Sequence, residues 1–308
     1  MTPLELAHRT LRAMLARAEG KGLLGSPAMS APDLGTSGKA WVHHDPGVDP
    51  APYLAAADEI AHGRISVFAL REVDLGVPPR WNRDPKTGIE APLVYGKLLD
   101  YRNPDLVGDI KYLWEPNRHH ELVTLAQAYA LSRKRRYYDA LVEQLESWFI
   151  ACPYALGPNW ASALEAGIRL ANWAAAWQLV QPIADAEFKA RWLRSVYQHA
   201  YFVRHWFSAH SSANNHLIGE AAGLYVAALT WPHWPEMREW AATPRRSSSA
   251  RRSRRTRPTA STGSTRSGTT RSSSRRWSPA SSQGERTARA FHPRSSRASR
   301  RCSISSPR

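Results

Sequence analysis

The sequence predicts an all-α fold, a layered or toroidal α/α domain of antiparallel helical hairpins, followed by a disordered Arg/Ser-rich C-terminal tail. Three observations carry this. Helical periodicities succeed one another from Asp105 to Trp240, with short breaks at CPYALGPN, VQPIAD, SAHSSANN and TWPHWP; short loops between long helices make consecutive helices antiparallel neighbours. Ten of the 13 tryptophans lie between Trp114 and Trp240, which supplies aromatic volume for a core. The third is charge. The 308-residue chain is formally +16, yet 18 Arg and only one acid, Glu285, fall in residues 245–308. Residues 1–244 carry 24 basic and 25 acidic groups, so the high isoelectric point says nothing about a ligand of the folded part.

The N-terminal stretch MTPLELAHRTLRAMLARAEG has apolar residues at helical spacing, interrupted by His8, Arg9, Arg12 and Arg17. A secretory signal needs an unbroken apolar stretch, so this reads as an amphipathic helix and the chain as written is expected to be cytoplasmic. Residues 19–50 are rich in Gly, Pro and Ser and read as a loosely packed arm. APYLAAADEIAHG (51–63) makes a short helix ended by Gly63. Residues 64–100 mix short apolar runs with turn signals such as VPPRW and DPKTG, predicting irregular structure with room for a strand or two. Helices are then expected at 105–131, 134–151, 160–180, 184–208 and 215–230. The chain divides into a lead-in (1–100), a partial toroid (101–244) and the tail (245–308). A toroid stopped after a few hairpins would leave Leu217, Leu224 and Ala228 without a next layer. Two cysteines, Cys152 and Cys302, exclude a disulfide framework and a Cys-based zinc site; no cofactor or metal is expected. No apolar run approaches the roughly 20 residues of a membrane span, and no membrane partner is expected.

Three segments crowd polar groups where a loop becomes a helix. In DIKYLWEPNRHHELVTLAQAYAL (109–131), Asn117 and Arg118 read either as a solvated helix start or as the edge of a cleft, where an Arg fork matches a carboxylate or sulfate. In GPNWASALEAGIRLANWAAAW (157–177), Asn159 is a candidate N-cap and Trp160 is either core or a platform for a sugar ring. Glu165 and Arg169 stand i,i+4, which by itself favours an ordinary surface pair. In HSSANNHLIGEAAGLYVAAL (210–229), His210, Asn214, Asn215 and His216 precede or open a helix. Asn215 reads as a plain cap, or its amide, an imidazole and the free helix N–H groups together bind a carboxylate and stabilise charge developing on it.

Taken in order, YLWEPNRHHELVTLAQAY, NWASALEAGIRLANWAAAW and SSANNHLIGEAAGLYVAAL resemble the heparinase II/III-like polysaccharide lyases, over roughly residues 65–243; the upstream VPPRWNRDPKTG resembles the family's lead-in. The resemblance implies an incomplete α/α toroid followed by a large antiparallel β-domain. It also implies an acidic polysaccharide substrate (heparan sulfate, alginate or a bacterial exopolysaccharide) cleaved by β-elimination at a uronic acid; many relatives are periplasmic. Asn215 is then the partner that neutralises the substrate carboxylate and His216 a neighbouring base, with Asn117, Arg118, Asn159, Trp160, Arg169, His210 and Asn214 as substrate-binding candidates. The sequence departs from the family in having no tyrosine after Tyr225, where a downstream tyrosine serves as acid or base, and in having no β-domain. A non-catalytic acidic-glycan-binding protein is the alternative on the same residues.

The tail holds 18 Arg and 19 Ser in 64 residues and no Lys. Such a composition cannot bury enough apolar surface to offset its ordering entropy. It is also what a GC-rich gene yields in the wrong frame. A one-base shift lets Ser261–Arg271 encode a string containing Trp-Tyr-His and lets Arg294–Arg308 encode an amphipathic helix, which points to a frameshift near Pro244. The rival is an Arg/Ser arm that binds nucleic-acid phosphates without specificity; the absence of Lys and of repeated stacking aromatics weighs against it, and no specific nucleic-acid partner is expected.

Overall fold

The structure is a computed structural model and describes residues 3–23, 27, 29, 32–33, 38–43, 45, 47–209 and 215–241, all within one compact unit. The tail, with its expected disorder, lies outside the described residues, as do His210 and Asn214. Helices dominate. Helix α1 (Pro3–Gly20) and α2 (Ala51–Ala61) precede a hairpin of β1 (Arg64–Val67) and β2 (Leu70–Asp74), antiparallel with Ile65 opposite Val73. Then come α3 (Pro104–Val107), α4 (Ile110–Trp114), α5 (His120–Ser132), α6 (Arg135–Ala151), α7 (Ala163–Val180), α8 (Ala186–His205), α9 (Asn215–Thr230) and a last helix α10 over 235–241.

The expected single helix over 105–131 is instead three helices and a turn. Proline at 116 cannot donate to the helical ladder, the backbone tightens into a 3-10 turn over Pro116–Arg118, and His119 adopts a left-handed conformation with φ 63°. The chain therefore changes direction just before α5. Asn159 is not a cap either: it lies in a second 3-10 turn, Pro158–Trp160, and Ser162 occupies the N-cap of α7. Helix α8 starts as its sequence indicates, with Asp185 accepting from Phe188 N at 2.8 Å, satisfying one of the free N–H groups of the first turn.

Helix α7 is the hub, packed against α5, α8 and α9. It approaches α9 most closely where Gly167 meets Gly223. A Cβ on Gly223 would overlap the Gly167 carbonyl and stand 2.7 Å from its Cα, so only glycine admits this crossing. Trp148, Trp160, Trp173, Trp192, Trp231 and Trp234 are fully buried. On α9, Leu224 is in the core, Ala228 packs against it and Leu217 is half-buried, so none of the three is bare; the large exposed apolar residues there are Ile218 and Tyr225. The arm before α2 is pinned to the helices by Trp41 Nε1 donating to Thr230 Oγ1 at 3.0 Å and by Lys39 N donating to Leu229 O at 3.0 Å.

Candidate functional site

Four of the residues marked as substrate-binding form a buried network under the helix starts. Arg169 is fully buried between Trp148 and Trp160, its Cζ 5.0 and 5.7 Å from their rings. It donates to His199 Nε2 (2.9 Å), Asn159 O (2.6 Å) and Asn117 O (3.4 Å). Burial pulls its guanidinium down to about 10, which leaves it charged at neutral pH. Asn117 donates to Trp81 O and Leu113 O, both at 2.8 Å, and accepts from Trp148 Nε1 at 2.9 Å. Asn159 donates to Cys152 Sγ at 3.2 Å, and Trp160 Nε1 donates to Cys152 O at 3.1 Å. Burial pushes the Cys152 thiol up to about 12, so it is no nucleophile. These side chains are spent on the interior: Asn117, Asn159, Trp160 and Arg169 are each at most 1% exposed and touch no solvent-borne ligand as they stand. The Arg169 guanidinium, the Asn117 amide and the Asn159 amide nitrogen find partners, as buried polar groups must, while Asn159 Oδ1 has none among the described residues.

Arg118 is different. It grips Glu165 with Nε (2.8 Å) and Nη2 (3.1 Å) and Glu115 with Nη1 (2.7 Å). The bond to Glu165 holds its pKa above the ordinary value. Two carboxylates thus occupy the fork that was expected to meet a ligand anion. Glu165 pairs across to Arg118, not along its own helix with Arg169.

A cleft of about 550 Å³ opens above this network. Its walls come from α1 (Arg9, Arg12), the segment Lys97–Arg102, Trp114 of α4, Ala161–Ala163 at the start of α7, Trp206–Ala209 after α8, and His216 and Glu220 of α9. The lining is cationic and aromatic. Of the two carboxylates, Glu5 pairs with Arg9 at 3.0 Å and Glu220 accepts from Ser208 N at 2.8 Å and Ser208 Oγ at 2.7 Å. Tyr101 packs on Trp114 with ring centroids 5.4 Å apart, while Arg12 and Lys97 each stand 5.1 Å from the Trp206 ring. Burial pulls the Lys97 amine down to about 8.

Of the sequence candidates, His216 lines this cleft, and Asn215 is exposed beside it as the first residue of α9. His210 and Asn214 lie outside the described residues. Lys97, Arg102, Trp206 and the basic face of α1 were not foreseen as site residues. The only sequence signal for them was the set of charges His8, Arg9 and Arg12 that interrupts the apolar spacing of α1. Among the described residues no group of three His, Cys, Asp or Glu could hold a metal ion.

The model of the heparinase II/III N-terminus matches residues 68–248. Among solved structures, heparan sulfate lyase HepC from Pedobacter heparinus shares the fold at TM-score 0.55 and 17% identity, over 78% of this chain and 33% of that one. A heparinase III, the BT4657 gene product with methylated lysines, does so at TM-score 0.51 and 18% identity, over 78% of this chain and 36% of that one. This chain therefore spans about a third of the length of the proteins whose fold it shares. No curated protein matches it. With more than half its length matched by the family's N-terminal domain, the chain belongs to the heparinase II/III family.

Proposed function

We propose that the cleft binds a uronic-acid-containing glycan and that this chain is the helical part of a polysaccharide lyase acting by β-elimination. The supporting observation is the convergence of Arg12, Lys97, Arg102 and His216 with the rings of Tyr101, Trp114 and Trp206 on one cavity. Cations meet carboxylate or sulfate, and aromatic faces stack on the apolar faces of sugar rings.

In the reaction a base removes the proton on the carbon bearing the carboxylate. The electron pair forms a C=C bond, the glycosidic C–O bond at the adjacent carbon breaks, and an acid protonates the departing oxygen. The intermediate charge is tolerable only if the carboxylate is neutralised, so a donor aimed at it matters most. Asn215, at the free N–H end of α9, takes that role, and His216 beside it takes the proton. The remaining role, general acid, falls to a tyrosine, and Tyr225, the last in the sequence, is 45% exposed on α9 and is not among the residues lining the cleft. The 308-residue chain is accordingly proposed to bind without turnover.

The test is formation of unsaturated product, read by near-ultraviolet absorbance on alginate and heparan sulfate. None is expected from the present chain. A protein with the frame restored near Pro244 and the downstream sequence supplied should form it, and Asn215→Ala in that protein should abolish turnover while leaving the melting transition in place, since Asn215 is the exposed first residue of α9 and surface substitutions change stability by roughly 0.5 kcal/mol or less. Product from the 308-residue chain, or full activity of the restored Asn215→Ala variant, overturns the assignment.

A further inference from the structure

Lys97 is held in the cleft by backbone rather than by its own side chain. It sits in the 3-10 turn Gly96–Leu98, which is clamped to the turn before α7: Gly96 N donates to Ala155 O and Gly157 N donates to Val94 O, both at 2.7 Å. The approach is so close that a Cβ on Gly96 would stand 2.6 Å from the Trp160 carbonyl carbon. The half-buried ammonium then donates to Ala161 O at 2.8 Å and lies 5.1 Å from the Trp206 ring and 6.0 Å from the Phe202 ring. One carbonyl and two ring faces satisfy it in part. Among the described residues its other two N–H groups have no acceptor, and no carboxylate forms an ion pair with it. The carboxylates that face it are engaged elsewhere: Glu19 of α1 with the Tyr95 hydroxyl, and Glu220 of α9 with Ser208. The other cation facing it is Arg12 of α1, which donates to His205 O and shares the Trp206 ring.

We propose that Lys97, with Arg12 beside it, is the anion anchor of the cleft, binding one carboxylate or sulfate of the glycan, and that it does so only as the ammonium, so that glycan binding is coupled to proton uptake. The inference rests on the cleft being an acidic-glycan site and adds the group that grips the anion and the pH range in which it works. Burial lowers the Lys97 pKa to about 8, with Arg12 adding to the fall and Glu220 and Glu19 opposing it. An anion bound to the ammonium raises that pKa again. By linkage, affinity then falls about tenfold per pH unit between the free and the bound values.

The experiment uses the full chain. Acetylation of each lysine by an amine-reactive reagent is followed by peptide mass spectrometry from pH 7 to 10, alone and with polyuronate (carboxylate only), dextran sulfate (sulfate only) or neutral dextran. Lys97 should react with a midpoint near pH 8. Polyuronate, dextran sulfate or both should slow it about tenfold or more below that pH, and the one that does so identifies the anion; neutral dextran should not. Because the readout is local to Lys97, anions held by the arginines of residues 245–308 do not register in it. Lys97→Arg should bind with no pH dependence across this range, and Lys97→Met should bind about tenfold more weakly while still melting cooperatively, with only the bond to Ala161 O lost. If Lys97 reacts at the same rate under saturating polyuronate and dextran sulfate while hydrogen exchange slows at 206–209, the Lys97 inference is wrong and the cleft assignment stands. If neither readout responds to any glycan, both fall.

Discussion

Arg169 donates from Nε to His199 Nε2 at 2.9 Å. A guanidinium has no lone pair to offer, so His199 must accept there and carry its proton on Nδ1, which donates to Ser195 O at 2.7 Å. Trp173 Nε1 likewise donates to His119 Nδ1 at 2.7 Å, which puts the His119 proton on Nε2. Both imidazoles are buried and neutral in the fold, and burial holds both well below the ordinary histidine value.

The first prediction is acid lability. A histidine whose folded pKa is depressed contributes stability that is present above its unfolded value, near 6.5, and lost as pH falls below it, because the unfolded chain takes up the proton first. Each of His119 and His199 should remove about 1.4 kcal/mol per pH unit in that range. Urea midpoints at pH 7.5 and 5.5 measure this. A flat profile contradicts it, and a variant lacking His199 should show a shallower slope than the parent.

Removing the guanidinium should damage the fold rather than ligand binding alone. Arg169→Met leaves His199 Nε2 and Asn159 O without their donor, each costing roughly 1–3 kcal/mol. Arg169→Lys should not rescue it, since a point charge cannot reach three acceptors set for a fork. Denaturant unfolding of the two variants decides the matter; a Met variant as stable as the parent would make the network incidental.

For Arg118 the structure and the residue type point to different outcomes. An Arg that met the ligand directly would lose affinity on truncation and little stability. An Arg clamped by the buried Glu165 should do the reverse, and Glu165→Gln should cost about 2–3 kcal/mol, somewhat less than a fully buried pair because Arg118 is 26% exposed and keeps Glu115. Melts and glycan titrations of both variants separate the two.

At the α7–α9 crossing, Gly223→Ala should destabilise by about 1–3 kcal/mol, the range of overpacked cores, because the added methyl overlaps the Gly167 carbonyl. Ala in place of nearby Gly219, whose Cβ would meet only the end of the Leu164 side chain at 2.5 Å, should cost less. Equal melting shifts for the two would show that the helices slide apart freely.

The helices legible in the sequence are those whose apolar spacing is unbroken and whose ends carry a signal. Helix α9 spans Asn215–Thr230, as its sequence puts it, and α8 (Ala186–His205, capped by Asp185) falls within two or three residues of the expected 184–208. The stretch 105–131 was not legible because Pro116 and the left-handed His119 divide a run whose periodicity looks continuous. Within the site, His216 was legible because a polar cluster at a loop-to-helix junction is local information. Arg12, Lys97 and Trp206 lie far apart in sequence and meet only through tertiary packing, which no local pattern encodes. Asn117, Asn159 and Arg169 carry polar side chains that suggest a surface. The turn carbonyls, the His199 ring and the tryptophans that satisfy them belong to other segments, so their burial could not be read from residue type.

If the cleft between α1, Lys97–Arg102 and the start of α9 receives an acidic glycan, backbone amides around it become protected when the glycan binds. Hydrogen exchange of the 308-residue chain with and without polyuronate, resolved by segment, tests it most directly. Exchange should slow at 97–102, 206–209 and 215–220, not with neutral dextran, and less in Lys97→Met. Slowing confined to residues 245–308, with those three segments unchanged, would assign glycan binding to the arginine-rich tail and not to the cleft.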